Sequence, residues 1–266
     1  MRKLNYIMAT LFSLLLISCH EDVVLDLGKI QKWLVVEATV TNGSPVVMVK
    51  LSYSQDFYDI PDRQLLANAT VALHCDDGQS EILVLGDDSI FKSQSLLPVF
   101  GKKYTLKVDV DDQQVEVATT LPHPVGITSI TFVSNPFLNN PDSLNAYVSV
   151  ADPVNEDNYF RLRIGKIHVE PSGEYYLMDD SFGKNGMIPM PVYYKMFAPG
   201  DTVVVELDHL TKALYQYYST LSENVGGSFN SVAPGNPDSN MPDKVYGYFG
   251  GYAIARDTVV VGGSEF

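Results

Sequence analysis

The sequence predicts a mainly β protein built from two β-sandwich-like domains, the second of which also contains one amphipathic helix. Two observations support this fold class. Short runs rich in β-branched and aromatic residues recur along the chain and are separated by turn signals such as Asn42-Gly43. Tyrosine and phenylalanine are also abundant, at 16 and 12 residues, while only 19% of the residues are charged, a composition typical of strands that pack on a core.

The N-terminus has the features of a lipoprotein signal peptide. Two basic residues precede an apolar stretch from Leu4 to Ile17, which is too short for a transmembrane helix of roughly 20 apolar residues. The stretch closes with Leu16-Ile17-Ser18-Cys19, which resembles a lipobox. We expect cleavage between Ser18 and Cys19, removal of residues 1–18, and lipidation of Cys19. An uncleaved anchor, or an ordinary signal peptide that contains a cysteine, is the alternative.

Residues 19–32 are predicted to be a lipidated tether between the membrane and the folded part of the chain. Glu21 and Asp22 follow the lipidation site directly. Acidic residues at this place resemble the signal that exports Bacteroidota lipoproteins to the outer face of the outer membrane. We therefore expect the protein in the outer membrane and facing the surface rather than the periplasm. A merely solvated linker is the alternative interpretation of the two acids.

The charge of the chain argues against a nucleic-acid partner. The formal net charge is −14, and removal of the signal peptide takes away Arg2 and Lys3 but no acid, which makes it more negative still. Such a chain repels phosphate backbones. Cys75 is the only cysteine besides Cys19, so no disulfide framework is expected even in an oxidising compartment.

The first domain is predicted over residues 33–121. In the strand that begins near residue 46, Val47, Val49 and Leu51 fall on one face because side chains alternate along a strand. Cys75 ends another alternating run, which predicts a small strand residue rather than a nucleophile. The predicted strands of this domain cover residues 33–40, 46–53, 70–75, 81–85, 104–110 and 115–119.

Leu121-Pro122-His123-Pro124 marks the predicted domain boundary, because two prolines remove backbone donors and fix φ, so that no sheet continues through them. The second domain is predicted over residues 125–266. Gly247, Gly250 and Gly251 interrupt its last long strand and indicate bulges or the close approach of another backbone. Its predicted strands cover residues 127–133, 146–151, 158–164, 166–170, 202–207, 245–255 and 257–261.

One helix is predicted near residues 210–223. Its apolar residues recur at steps of three and four, which places them on one face; they are Leu210, Leu214, Tyr217, Tyr218 and Leu221. Asp208 or Thr211 is expected to cap the start of the helix, and Gly226-Gly227 to supply its end. We expect this tyrosine-rich stripe to pack on the core, with a platform for a sugar ring as the alternative.

Several motifs, in this order and spacing, resemble one family over nearly the whole mature chain. They are Leu34-Val-Val-Glu37, Ala69-Thr70-Val71 ahead of Asp77-Gly78, Gly101-Lys-Lys-Tyr-Thr-Leu-Lys-Val108, Asn158-Tyr-Phe-Arg161, Gly200-Asp-Thr-Val-Val-Val-Glu-Leu207 and Tyr246-Gly-Tyr-Phe-Gly-Gly251. The family is the domain-of-unknown-function family DUF4249, lipoproteins of Bacteroidota. The first half also resembles an Ig-like or transthyretin-like, carboxypeptidase-regulatory β-sandwich. The resemblance implies no catalytic residues, and it implies an accessory role beside TonB-dependent outer-membrane receptors.

No motif with a catalytic mechanism occurs in the sequence. The histidines form no zinc-ligand pair, and neither a Gly-x-Ser-x-Gly elbow nor a phosphate-binding glycine loop is present. We therefore expect no catalytic residue, no metal and no cofactor. The best cation candidate is the acidic loop with Asp152, Asn155, Glu156 and Asp157, whose oxygen ligands suit calcium. A solvated turn is the alternative, and it is the interpretation we favour.

Two segments of the second half, residues 182–197 and 226–244, are poor in strand pattern and are predicted to be loops. The first is rich in aromatic residues and methionine, which makes Tyr193, Tyr194 and Phe197 candidate partner-binding residues. The alternative is that these side chains fold back over the core of the sandwich. The expected function is a non-enzymatic surface lipoprotein that binds a partner, with an outer-membrane receptor as the candidate. A lipid-anchored hydrolase acting on glycans or peptides is the main alternative, and a purely structural envelope protein is another.

Overall fold

A computed structural model describes residues 32–55, 65–135, 140, 142–153, 156–167, 174–225 and 235–262. Residues Lys32–Phe266 make up one compact unit. Its strands are β1 (Leu34–Thr41), β2 (Val47–Tyr53), β3 (Ala69–Cys75), β4 (Ser80–Ile82), β5 (Val84–Leu85), β6 (Phe91–Lys92), β7 (Lys103–Val110), β8 (Gln113–Thr120), β9 (Ile127–Ser134), β10 (Leu144–Ala151), β11 (Tyr159–Lys166), β12 (Tyr176–Asp179), β13 (Met187–Phe197), β14 (Thr202–Leu210) and β15 (Val245–Val260). The helix α1 spans Lys212–Val225, and a short 3-10 helix spans Asp180–Phe182.

Within the described residues, these strands form three sheets. The largest has eight strands in the order β12-β11-β14-β15-β1-β2-β6-β5, and the two smaller sheets have the orders β4-β3-β7-β8 and β13-β10-β9. Alternate residues of β1 and β7 are buried, which is the pattern of strands with one face on a core. The fold is therefore mainly β and sandwich-like, as the alternating sequence predicts.

The two smaller sheets pack against different parts of the large one and enclose two cores. The first core joins β1, β2 and β6 to the four-stranded sheet, and the second joins β11 and β14 to the three-stranded sheet. Leu121 belongs to the first core and Val125 to the second, so the cores divide across the Pro122–Pro124 segment. Phe249, in the predicted second domain, nevertheless lies in the first core.

Strand β15 explains how a residue so late in the chain reaches the first core. Its first half, Val245–Tyr252, pairs in parallel with β1, and its second half, Tyr252–Val260, pairs antiparallel with β14. The sequence predicts two strands here, over residues 245–255 and 257–261, and this is wrong, because the structure has one strand of 16 residues. Strand β15 therefore belongs to both sandwiches.

The glycines of β15 allow other elements to approach it closely, as the sequence predicts. A Cβ on Gly247 would overlap the backbone of Val36, and one on Gly251 would overlap the carbonyl oxygen of Thr120. On Gly250 it would collide with the side chain of Leu214 of α1. Gly247 also adopts a φ of 99°, which favours glycine over residues with a Cβ.

Helix α1 differs from its prediction at its start. Leu210 is the last residue of β14, and the helix begins at Lys212. Asp208 is not a cap, because it lies inside β14. Thr211 precedes the helix and its carbonyl accepts a hydrogen bond from the backbone N–H of Tyr215, at 3.0 Å, but its hydroxyl has no partner among the described residues. Gly226-Gly227 lies outside the described residues.

Two further segments depart from the sequence prediction. Residues 187–197 form strand β13 rather than a loop, because Ile188, Met190 and Val192 are buried in alternation against the second core. Residues 81–85, predicted as one strand, belong to two short strands, β4 and β5. The strands are separated at Leu83, whose side chain is buried. Part of the predicted strand at 166–170 and part of the predicted loop at 226–244 lie outside the described residues.

Candidate functional site

The candidate site is a wide bulge at the end of β13. In the pairing of β10 with β13, Leu144 lies opposite Phe197 and Ala146 lies opposite Val192. Residues 193–196 of β13 therefore face the single residue Asn145 of β10. Bulges interrupt strand pairing and redirect side chains, and they are common beside functional sites.

Asn145 holds this bulge in place. Its side chain is buried, and its Nδ2 donates hydrogen bonds to the carbonyl oxygens of Val192 and Tyr193, both at 3.1 Å. Buried amides of this kind are satisfied by such backbone partners. The bulge is thus a fixed feature of the sheet, and its side chains are presented on an ordered backbone.

Two tyrosines and a methionine project from the bulge. The exposed fraction is 55% for Tyr193, 90% for Tyr194 and 37% for Met196. Lys195 points back instead, because its Nζ donates to the carbonyl oxygen of Ile164 at 3.0 Å and lies 3.6 Å from a carboxylate oxygen of Glu174. The exposed tip of the bulge is therefore apolar and aromatic rather than charged.

Phe197 does not belong to this surface, which corrects its assignment as a candidate partner-binding residue. It is 2% exposed and packs edge-on against Phe132, with ring centroids 5.6 Å apart, in the second core. The strand alternation turns it inward after the bulge. Tyr193 and Tyr194 are the two candidates that the structure places on the surface.

Residues from β9 and β10 extend the apolar surface. Tyr147 of β10 lies edge-on to Tyr193, at 6.2 Å between centroids, and its side-chain hydrogen bond raises the pKa of Tyr193. Val133 of β9 is 51% exposed and lies opposite Asn145. The sulfur of Met196 is 3.6 Å from Nδ2 of Asn145. We call Val133, Tyr147, Tyr193, Tyr194 and Met196 the β13 patch.

The acidic loop before β11 is organised by Asn158 rather than by its carboxylates. Nδ2 of Asn158 donates to the carbonyl oxygens of Pro153 and Glu156, both at 2.9 Å, and lies 3.5 Å from Oδ1 of Asp152. Asp157 turns away and pairs with Lys212 at 3.6 Å. Asn155 lies outside the described residues. In the described part of the chain, no group of three or more His, Cys, Asp or Glu side chains converges as a metal site.

A buried ion pair that the sequence analysis missed lies beneath α1. Nε of Arg161 donates to Oδ2 of Asp208 at 2.9 Å, and both side chains are almost fully buried. Burial raises the pKa of Asp208, and the neighbouring guanidinium groups of Arg161 and Arg163 oppose this shift. The other oxygen, Oδ1, has no hydrogen-bond partner among the described residues. The only sequence signal was Arg161 itself, in the Asn158–Arg161 motif.

Tyrosines surround this ion pair and connect it to the helix. The guanidinium carbon of Arg161 lies 4.9 Å from the ring centroid of Tyr218 in α1 and 5.1 Å from that of Tyr252 in β15. Tyr217 packs on Tyr248 at 4.5 Å. The tyrosine stripe of the helix is therefore packed against the sheet, as the sequence favours, and the cation–π contacts attach α1 to it.

A shallow cleft on the four-stranded sheet, of about 310 Å³, contains the carboxylates Asp109 and Glu116. Glu116 forms an ion pair with Lys107 at 3.0 Å, and Asp109 accepts a hydrogen bond from Gln114 at 2.9 Å. Each carboxylate thus has a surface partner of its own. This cleft is where a hydrolase with two carboxylates would first be sought.

The predicted lipidation site Cys19, the cleavage-site residue Ser18 and the candidate export signal Glu21 and Asp22 lie outside the described residues. Cys75 is buried and is a free thiol. Burial raises the pKa of that thiol, which disfavours the reactive thiolate. Among the described helices, none has the length and hydropathy needed to cross a membrane.

The family model for a domain of unknown function, DUF4249, matches residues 20–258. The chain belongs to the DUF4249 family. The match covers both sandwiches, α1 and the β13 patch of this DUF4249 protein. No curated protein matches it. A solved structure of the chicken interferon gamma receptor alpha chain is similar at 9% identity, over 68% of this chain and 90% of that chain, with a TM-score of 0.21. This similarity is too low to support an argument about fold or function.

Proposed function

We propose that this DUF4249 protein is a surface-exposed outer-membrane lipoprotein of Bacteroidota that binds a partner protein through the β13 patch. The partner is a TonB-dependent transporter, and the protein acts as its non-enzymatic accessory module. The observation that carries the proposal is the bulge at residues 193–196, which exposes Tyr193, Tyr194 and Met196 on an ordered sheet.

The chemistry of the patch suits a protein partner. Tyrosine and methionine are enriched in the centres of protein interfaces, where charged residues are depleted. Asn145 fixes the backbone that carries the two tyrosines, so less conformational entropy is lost when a partner binds. A monomer pays a solvation cost for a contiguous exposed apolar surface, and such surfaces commonly mark interaction sites.

The N-terminal lipid supplies the second part of the proposal. Lipid on Cys19 would confine the protein to the membrane that also holds the transporter, which raises the effective concentration of each for the other. The transthyretin-like character of the first sandwich, suggested by the Gly101–Val108 strand, belongs to the same proposal. On this account the first sandwich is a spacer between the membrane tether and the binding end.

A hydrolase remains the second candidate from the sequence, and the cleft with Asp109 and Glu116 is where it would act. Both carboxylates have surface partners, Lys107 for Glu116 and Gln114 for Asp109, whereas a general acid or base is usually set apart from its neighbour by its environment. The β13 patch has the stronger support, because Tyr193, Tyr194 and Met196 expose an apolar and aromatic surface on β13, next to Tyr147 of β10 and Val133 of β9.

The test is recovery of membrane partners with the full lipidated chain. Tyr193→Ser and Tyr194→Ser together should reduce recovery of a TonB-dependent transporter by about tenfold, because aromatic anchors contribute a large share of binding energy. Leu97→Ser, which changes another exposed apolar residue in the first sandwich, is the matched control and should have no effect. Equal recovery with all three proteins would contradict the proposal.

A further inference from the structure

The outer edge of β9 has backbone groups that point away from its partner strand β10. The N–H of Asn135, the residue after β9, donates to the carbonyl oxygen of Ser143 at 3.1 Å. Ser143 precedes the β10 residue Leu144, which is paired with Ser134, so Asn135 and Ser143 form a hydrogen-bonded pair. Such pairs alternate along an antiparallel ladder.

This alternation assigns a direction to each residue of β9. Ser129, Thr131 and Val133 direct their N–H and C=O groups towards β10, as Asn135 does. Ile130, Phe132 and Ser134 direct theirs towards the open edge. Strand β9 is the last strand of its sheet, and no described strand pairs with its outer side.

The other edge of the same sheet is protected. The N–H of Asp152 donates to the carbonyl oxygen of Gly186 at 3.0 Å, which by the same alternation directs the backbone of residues 187, 189 and 191 away from β10. Positions 189 and 191 are Pro189 and Pro191, which have no N–H to offer. Prolines at such positions are a known defence of edge strands against pairing with other chains.

The other sheet edges in the described part of the chain are also poorly suited to pairing with an added strand. Strands β4, β5 and β12 have only 3, 2 and 4 residues. Strand β8 carries the charged Glu116, and its last residue, Thr120, is covered by Gly251. Strand β9, by contrast, has 8 residues, ITSITFVS, with neither proline nor a charged side chain. An unpaired edge of this kind can form backbone hydrogen bonds with a strand of another chain.

We infer that the edge of β9 binds an extended segment of the partner protein as an additional strand of the three-stranded sheet. The inference rests on the proposed function, since it takes the protein that binds the β13 patch as the source of that segment. Backbone hydrogen bonds from Ile130, Phe132 and Ser134 supply the pairing, and side chains of the added strand supply selectivity.

The position of β9 defines the chemistry of the added strand. Alternate side chains of that strand lie beside Val133 and Thr131, on the face that carries the β13 patch, and favour β-branched or aromatic residues. The net charge of −14 disfavours acidic residues in or near the segment, and it disfavours a second copy of this chain, which has the same charge. The occupant is therefore a strand of a different protein, with uncharged pairing residues and basic flanks.

The probe is a short peptide of alternating threonine and valine with lysine at both ends, added to the full chain in detergent. Amide hydrogen exchange at Ile130, Phe132 and Ser134 should be fast in the free protein and slow by about tenfold or more with peptide, because a paired amide exchanges only when the pairing opens. Exchange at Ser129, Thr131 and Val133 should be slow in both states.

Ser134 provides the matched variants. Ser134→Pro removes one outward N–H and leaves the ladder with β10, so peptide protection should fall by about tenfold, the effect of roughly 1.4 kcal/mol. Ser134→Ala keeps that N–H and should behave as the original protein. The inference is overturned if the peptide protects none of the three outward amides, if these amides are already slow in the free protein, or if both variants retain protection. These results do not depend on recovery of a transporter, so they separate this inference from the proposed function.

Discussion

Gly251 lies directly beneath the carbonyl group of Thr120, so closely that a Cβ at this position would overlap the carbonyl oxygen. Thr120 is the last residue of β8, and Gly251 is near the middle of β15. The contact lies where β15 changes its pairing from β1 to β14. The first sandwich is thus locked to the strand that continues into the second.

Gly251→Ala should destabilise the whole fold. The added methyl group must push β8 away from β15, and overpacking of this kind typically costs about 1–3 kcal/mol. Gly126→Ala is the control, because a Cβ there meets no atom within 4 Å. Urea unfolding measures both variants, and equal midpoints for Gly251→Ala and Gly126→Ala would show that the contact does not join the sandwiches.

The buried ion pair beneath α1 makes a second prediction. Asp208→Asn removes the carboxylate charge and leaves Arg161 buried without its counter-ion, which typically costs about 3–5 kcal/mol. Glu116→Gln, in the exposed Lys107 pair, should change the unfolding midpoint little. Helical circular dichroism should be lost earlier than the strand signal in Asp208→Asn, since Arg161 also contacts Tyr218 of the helix. A cost as small as that of Glu116→Gln would contradict this account.

The sequence predicts the elements whose signals are local. The β7–β8 hairpin alternates cleanly around Asp111-Asp112, and the structure shows β7 and β8 there. The stripe at Leu214 and Tyr218 predicts a helix, and α1 confirms it. Gly247 and Gly251 predict a bulge or the close approach of another backbone, and the structure shows the close approach at both positions.

The misassigned segments depend on contacts that are distant in the sequence. Pro189 and Pro191 make residues 187–197 look like a loop, but both prolines sit at the outward-facing positions of an edge strand, where no donor is needed. Asp208 looks like a helix cap because it precedes α1, but its partner Arg161 is 47 residues earlier. Phe197 is expected at the surface with Tyr193 and Tyr194, but the bulge at residues 193–196 shifts the alternation of β13, so that its side chain enters the core.

The buried side chain of His209 should make the stability of the fold depend on pH. Its Nδ1–H donates to the carbonyl oxygen of His123 at 2.7 Å, and its ring stacks on Phe160 at 5.2 Å. Burial lowers the pKa of His209, and the His123 hydrogen bond and Glu156 partly oppose this shift. The folded chain therefore takes up this proton at lower pH than the unfolded chain, whose histidine has a pKa of about 6.5.

The contribution of His209 to stability is thus complete above about pH 6.5 and is lost as the pH falls towards the folded pKa, by at most about 1.4 kcal/mol per pH unit. Asn at this position keeps a donor but does not titrate. Between neutral and mildly acidic pH, the free energy of unfolding should decrease less for His209→Asn than for the original protein. Parallel pH profiles for the two proteins would contradict the prediction.

The proposed lipidation of Cys19 can be tested at the N-terminus of the chain. Cys19→Ala should prevent palmitate labelling and release the protein from the membrane fraction, because the several acyl chains of a bacterial lipoprotein hold it far more strongly than a single chain does. Detergent-phase partitioning measures the release, and Cys75→Ala is the control. A Cys19→Ala protein that still takes up palmitate would show that the lipobox is misassigned.

The most direct test of the binding proposal is photo-crosslinking in intact cells from position 194. Tyr194 is replaced by p-benzoylphenylalanine, which keeps an aromatic ring at the most exposed point of the β13 patch, and Leu97 is replaced in the same way as the control. We predict one dominant crosslinked outer-membrane protein, a TonB-dependent transporter, from position 194 and none from position 97. No crosslink from position 194, or the same products from both positions, would contradict the proposal that the β13 patch binds a partner.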